Sequence, residues 1–245
     1  MKISKILYAS VALFAVISCS KSSNSSSEGF VNFAISSNET VADATKSHVS
    51  DYTTLPVASD FSIIIKDETQ QVMFDGKISA WDPTSALLKE GKYSVTAFCG
   101  DIETEGFDKP YFEGTVPFEI KGGETTTVSI PVKLNNTVVK VSCTQNFRNY
   151  YKNYSFKLTR NGSDIVAFAK DETRAAFVDG YKFTLEGVLE SETKTYNFSK
   201  EYNNLEVATA YTFVFDVTNT GSASITISFN QNVETVDLGD YELND

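Results

Sequence analysis

Across most of this chain, apolar residues recur at every second position, and that period constrains the fold more than any other feature. Val31, Phe33 and Ile35 alternate with Asn32 and Ser36. Phe61, Ile63 and Ile65 alternate with Ser62 and Lys66, with Ile64 as an interruption. Tyr93, Val95, Ala97 and Cys99 form another row, and Val128, Ile130, Val132 and Leu134 a fourth. Val139, Val141 and Cys143 follow, then Tyr154, Phe156 and Leu158, then Tyr181, Phe183 and Leu185, then Tyr211 to Val217 and Ala223 to Phe229. A period of two places one face of an extended strand in a core and the other in water, as in antiparallel sheets. Turn signals at Asn161-Gly162, Asp179-Gly180 and Asn219-Thr220-Gly221 punctuate the rows. Short strands at regular spacing predict an all-β protein of the sandwich type. Pro131 interrupts one row on its outer side and cannot donate to a ladder, so its strand is expected at a sheet edge.

The amino terminus has a different grammar. Lys2 and Lys5 precede an apolar run from Ile6 to Ile17, too short to span a bilayer and of the length of a signal-peptide core. Val16-Ile17-Ser18-Cys19 resembles the bacterial lipobox, in which the cysteine sulfur receives a diacylglycerol and becomes the first mature residue. Residues 1–18 are therefore expected to be a lipoprotein signal peptide, and Cys19 the lipidation site. Acyl chains hold a membrane by about 0.8 kcal/mol per buried methylene, so several together anchor firmly. The serine-rich stretch after Cys19 cannot bury apolar surface, and residues 19–28 read as the lipidated cysteine with its flexible tether.

Aspartate and glutamate number 32 against 21 lysine plus arginine, a formal charge of −11. An acidic surface excludes nucleic acid as a partner and electrostatic docking to anionic lipid. No second apolar run reaches membrane-spanning length. Beyond Cys19 there are Cys99 and Cys143, both in inward rows, where a thiol behaves as a small hydrophobe. An extracytoplasmic setting permits a bridge between them; the inward placement favours two free thiols.

A weak echo between the segments beginning at Phe118 and Asn204 places a boundary near Leu134-Asn135-Asn136. It divides the body into an N-terminal sandwich, 29–134, and a C-terminal sandwich, 135–245, each of ordinary domain size. Ser37 to Ser59 is a long polar connection of the kind that carries function or motion. Asp82-Pro83 opens the one short helical turn expected, with Trp81 packed beside it in a structural role.

Little in the chain promises chemistry. The single histidine, His48, sits in the polar connection near Ser47 and Asp51, but a nucleophilic triad is assembled by folding and not by adjacency. One histidine and no Cys-x-x-Cys pair exclude the common zinc arrangements. Asp101, Glu103, Glu105 and Asp108 gather in one loop, a weak candidate for calcium and otherwise a solvated acidic stretch. A glycosidase would need two carboxylates at a set separation, which spacing in sequence does not show. Phe147, Tyr150, Tyr151 and Tyr154 crowd together; core packing is the first expectation for them, and Tyr150 and Tyr151 are the weak candidates for a ligand-stacking platform. No catalytic residue and no cofactor are expected, the lipid being a covalent modification.

"LKEGKYSVTAFCGD", "GFDKPYFEGTVPFEI", "VKLNNTVVKVS" and "YTFVFDVTNTGSASITISF" resemble a family of bacterial lipoproteins known as domain of unknown function 4493. The chain is more distantly similar to fimbrillin-like surface proteins. The resemblance implies tandem antiparallel Ig-like or fimbrillin-like sandwiches on a Gram-negative outer membrane, at the cell surface or on the periplasmic face. It implies adhesion or ligand binding without catalysis, with a glycan, a host protein or a fimbrial subunit as partner. A second reading is a structural or anchor subunit of a fimbria-like fibre joined by strand exchange, and a third is a hydrolase built on acidic residues. Fimbrillin-type subunits are released by an arginine-directed protease, yet Arg148, Arg160 and Arg174 are the only arginines and none lies near the amino terminus. That departure favours a permanently anchored protein over a polymerising one.

Overall fold

The computed structural model describes residues 27–38, 40–41, 48–217, 223–229 and 232–237. Residues 1–18, Cys19 and most of its tether, and Asn219-Thr220-Gly221, lie outside the described residues. The elements in chain order are β1 (Glu28–Asn38), β2 (Ser62–Asp67), β3 (Val72–Lys77), β4 (Leu87–Lys89), β5 (Gly91–Cys99), β6 (Gly106–Phe107), β7 (Phe112–Ile120), β8 (Thr125–Leu134) and β9 (Thr137–Cys143). A short helix, α1 (Gln145–Tyr150), precedes β10 (Asn153–Arg160), β11 (Ser163–Phe168), β12 (Ala176–Val178), β13 (Lys182–Glu190), β14 (Thr195–Asn203), β15 (Ala210–Val217), β16 (Ala223–Phe229) and β17 (Asn232–Asp237).

The rows seen in the sequence become the inner faces of these strands. β8 alternates strictly, with Val128, Ile130, Val132 and Leu134 buried and the residues between them outward. Seven strands form the first sheet, in the order β3-β2-β5-β7-β8-β1-β4. Its β7–β8 ladder is confined to Phe112 with Leu134 and Glu113 with Lys133. The inner faces of both arms, Ile63 and Val95 on one and Val31 and Ile130 on the other, meet in one core. Trp81 closes this core. Its Nε1 donates to the Val31 carbonyl at 3.0 Å, and its ring meets Phe33 and Phe74 edge-on at 5.6 and 5.1 Å. Asp82 organises the turn expected beside it, accepting from both Ser85 Oγ and Thr84 Oγ1, and these hydroxyl donors hold its pKa down at about 2.

The second half faces a four-stranded sheet, β11-β10-β13-β14, against a six-stranded one, β17-β16-β15-β9-β12-β6. Phe156 of the former stacks on Phe215 of the latter with centroids 4.1 Å apart. Asn161-Gly162 makes the hairpin turn it signalled, with both residues at positive φ, 51° and 80°.

Two pairs depart from the antiparallel expectation. β1 runs parallel to β8, and β9 runs parallel to β15. In each half the first strand inserts beside a late one, so the echo in the sequence corresponds to a repeated habit of pairing. The edge position expected for the strand of Pro131 is also corrected. β8 lies between β7 and β1. Pro131 is tolerated there because the ladder to β7 has already ended at Lys133, so no N–H is required on that side. Tyr181, expected inward, is 82% exposed, since β13 begins only at Lys182 and the alternation of its row does not reach back into the turn.

β6 comes from the first half of the chain yet pairs with β12 of the second. In β12, Ala176 and Val178 face the second core while Phe177 enters the first. Val138 of β9 and Ala210 of β15 also face the first core, and their neighbours Val139 and Tyr211 face the second. This end of the six-stranded sheet is a wall with apolar packing on both sides. The junction is buried too. Asn136 is fully shielded, its side-chain oxygen accepts the Tyr111 N–H, and its carbonyl accepts from Ala208 at 2.8 Å.

Candidate functional site

The acidic loop between β5 and β7 does not converge on a point. The Asp101 carboxylate is used within its own turn, accepting from the Glu103 N–H at 3.0 Å and the Thr104 hydroxyl at 2.8 Å. Glu105 turns the other way and forms a two-pronged pair with Arg160, at 2.8 and 3.0 Å. It also accepts the Asp179 N–H at 2.6 Å. Asp108 meets Arg174 at 3.4 Å. Among the described residues there is no group of three or more carboxylate, imidazole or thiol side chains placed to hold a metal. The four carboxylates of the calcium candidate, Asp101, Glu103, Glu105 and Asp108, are therefore not gathered around a point: Asp101 serves its own turn, and Glu105 and Asp108 meet arginines from the other half.

These pairs do structural work of one kind. Arg160 closes off β10, and its guanidinium also donates to the carbonyls of Asp179 at 2.7 Å and Lys182 at 3.1 Å. A planar fork with five donors can satisfy a carboxylate and two carbonyls at once, which a lysine could not. Arg174 lies over the Phe107 ring at 4.4 Å and pairs with Glu172 at 2.9 Å, whose carboxyl it holds near a pKa of about 2. The loop is thus strapped across the join between the halves by two arginines.

The tyrosine platform is corrected as well. Tyr151 is fully buried, 4.7 Å from Phe147 and 6.1 Å from Tyr196. Tyr150 is half-buried and meets Tyr151 edge-on at 4.8 Å. Both anchor α1, a helix that the alternation of the sequence concealed. Its one local signal is Thr144, whose hydroxyl accepts the Phe147 N–H at 3.2 Å as an N-cap. Tyr154 is inward as expected and donates to Asp171 at 2.6 Å; burial first, and then that carboxylate, push its pKa up.

The thiols offer no nucleophile. Cys99 and Cys143 are free, each packed at the margin of a different core. Burial pushes the Cys143 thiol up to about 12 and raises Cys99 in the same direction, so both stay protonated and inert at neutral pH. His48 is exposed; its backbone N–H donates to the Asp51 carboxylate at 2.7 Å at the start of a one-turn helix, Val49–Asp51.

Two of the surface hollows among the described residues bear on binding. One, of about 540 Å³, lies between the acidic loop and the β10–β11 hairpin and is lined by Glu103, Thr104, Asn161, Ser163 and Asp164 above the Glu105–Arg160 pair. The other, of about 590 Å³, lies on the outer face of the four-stranded sheet, where Ser155, Lys157, Glu186, Val188, Asn197 and Ser199 surround Gly187. Neither contains a nucleophile paired with a base. Both have hydrogen-bonding rims, and the second has the more apolar floor.

A family profile described as domain of unknown function DUF4493 matches residues 27–239, nearly all of the body just described. The chain belongs to the DUF4493 family. Among curated proteins, none matches it significantly. Solved structures match this DUF4493 chain with similarity in fold and little in sequence. A fimbrial assembly protein from Parabacteroides distasonis is 7% identical, covers 86% of this chain and 97% of its own, and has a TM-score of 0.50. Proteins from Bacteroides thetaiotaomicron provisionally described as polysaccharide binding are 13% identical, cover 86% and 98%, and score 0.45. An adhesin from the same species, also provisionally described, is 10% identical, covers 84% and 98%, and scores 0.44.

Proposed function

We propose that this DUF4493 chain is a non-catalytic cell-surface lipoprotein that acts in adhesion or ligand binding, held by acyl chains on Cys19 at a Gram-negative outer membrane. The observation that carries the reading is the deployment of its reactive side chains. Asp101 is tied into its own turn, Glu105 and Asp108 are paired with arginines, and the thiols are packed against the cores. Two of the surface hollows have hydrogen-bonding rims, which suit recognition. The acidic-residue hydrolase is the weakest reading on the same ground. The division at 134/135 is kept as a proposal of two units joined by the shared apolar wall, with their order fixed relative to the tether at residues 19–28.

The second reading, a fibre subunit or anchor, draws on two observations. The fold is shared with a protein named for fimbrial assembly, and β1, the strand nearest the tether, is held between β8 and β4 by main-chain pairing of the kind another strand can replace. Against it stand the arginines. Arg148, Arg160 and Arg174 all lie in the second half of the chain, each engaged in an ion pair, leaving no arginine beside β1 for a releasing cut. Mild-detergent extracts of cells expressing the full chain distinguish the two. The adhesion reading expects monomers that bind glycans or host proteins on an array; detergent-resistant ladders would replace it with the fibre, and turnover of a sugar polymer would overturn both.

A further inference from the structure

Two pairs of long side chains wall off part of the outer face of the four-stranded sheet. Lys157 of β10 stands opposite Glu186 of β13, and its Nζ lies 3.3 Å from that carboxylate and 2.8 Å from Asp164. Further along the same strands Asn153 stands opposite Glu190 and donates to it at 3.1 Å. Between these pairs runs a row of short side chains, with Ser155 opposite Val188 and Val188 opposite Asn197 of β14. The result is a trough of about 590 Å³ across the strands, with Ala167 and Ala169 at its β11 side and Asn197 and Ser199 at the edge strand β14. That volume lies within the range of ligand sites.

What lines the trough narrows its occupant. The main chain beneath it is committed to the β10–β13 and β13–β14 ladders, so no added strand can pair there. The charges are used as well. Glu186 accepts the Thr159 hydroxyl at 3.1 Å with one oxygen and meets Lys157 with the other, so the two charged groups of the lining cancel. There remain the apolar groups of Ala167, Ala169 and Val188, and the hydroxyls of Ser155 and Ser199 with the amide of Asn197. Those three polar side chains are hydrogen-bonded to no other described residue, and each can donate and accept. A ligand that fits has C–H faces, many hydroxyls and no charge. Laid across the sheet, it meets Ser155, Val188 and Asn197 at intervals of about 5 Å, the spacing of neighbouring strands.

We propose that this trough binds a neutral oligosaccharide laid across β10, β13 and β14. The proposal rests on the reading of the chain as a binding protein, and it names the ligand class and the place. Sugar C–H faces lie on Val188 and Ala167 while sugar hydroxyls exchange hydrogen bonds with Ser155, Asn197 and Ser199. The Lys157–Glu186 and Asn153–Glu190 pairs set the two walls and so the direction of the bound chain.

The test puts the detergent-purified full chain on an array of neutral, sialylated and uronic-acid oligosaccharides and on an array of host proteins, then titrates the strongest neutral sugar. Val188→Lys, which lays a long charged side chain over the floor, should weaken that binding about tenfold or more. Asn197→Ala should weaken it about threefold to tenfold, the loss of one hydrogen bond. Asn161→Gly, in the hollow beside the acidic loop, should leave it unchanged. All three positions are exposed, so the thermal unfolding midpoint should hold. Sugar binding that survives both Val188→Lys and Asn197→Ala, or that is lost with Asn161→Gly, overturns the place and leaves the binding reading intact. A preference for acidic sugars, or binding to host proteins alone, overturns the ligand class. No binding to either array sinks the broader reading with it.

Discussion

Phe177→Ala should destabilise the whole protein by about 3–5 kcal/mol, the range for removing a large buried aromatic ring. Phe177 is fully buried, and it sits in the middle of β12 with Ala176 and Val178 facing the opposite way. Its ring fills the first core from a strand of the second half, between Val138 of β9 and Gly106 of β6. The ring belongs to a core to which both sheets contribute, so the space it leaves is shared by both. Urea unfolding followed by tyrosine fluorescence and by circular dichroism should therefore give one transition, shifted as a unit. Two separate transitions, of which only one moves, would show that the wall is not shared.

Gly114→Ala is the second large effect. A Cβ added at Gly114 would stand 2.1 Å from the Pro131 carbonyl oxygen and 2.9 Å from its carbon. Both are main-chain atoms, so no rotamer change relieves the contact, and β7 and β8 must be driven apart where their ladder ends. The expected cost is about 3 kcal/mol or more, or roughly 6–12 °C in Tm for a cooperative unit of this size. Gly76→Ala is the control: its nearest neighbour is the movable Phe74 ring at 3.3 Å, and it should stay within about 1 kcal/mol of the parent. Equal stability of the two variants would contradict the close approach of β7 and β8.

These residues also show how far the sequence could be read. Rows such as Val128 to Leu134 predicted both the strand and its buried face, because a half-buried strand must alternate whatever its neighbours. The direction of the neighbour leaves no trace in that period, which is why the parallel pairs of β1 with β8 and β9 with β15 were illegible. Strands buried on both faces have a different mark. Ala175 to Val178 is an unbroken apolar run, and its meaning as a wall between cores depends on β6 arriving from elsewhere in the chain. Tyr181 was misplaced because its row continues past the first residue of β13 by one step. The pairing of Glu105 with Arg160 spans 55 positions and is set by topology alone. The acidic loop and Asn161-Gly162 were in view from the sequence, while Tyr181 was assigned to the core although it is exposed.

The account turns on Cys19. Radiolabelled palmitate fed to cells making the full chain, and to cells making Cys19→Ala, tests it most directly. The lipoprotein reading predicts label in the parent, none in the variant, and movement of the variant out of the membrane fraction. An unlabelled parent, or a Cys19→Ala chain that stays with the membrane, would contradict it.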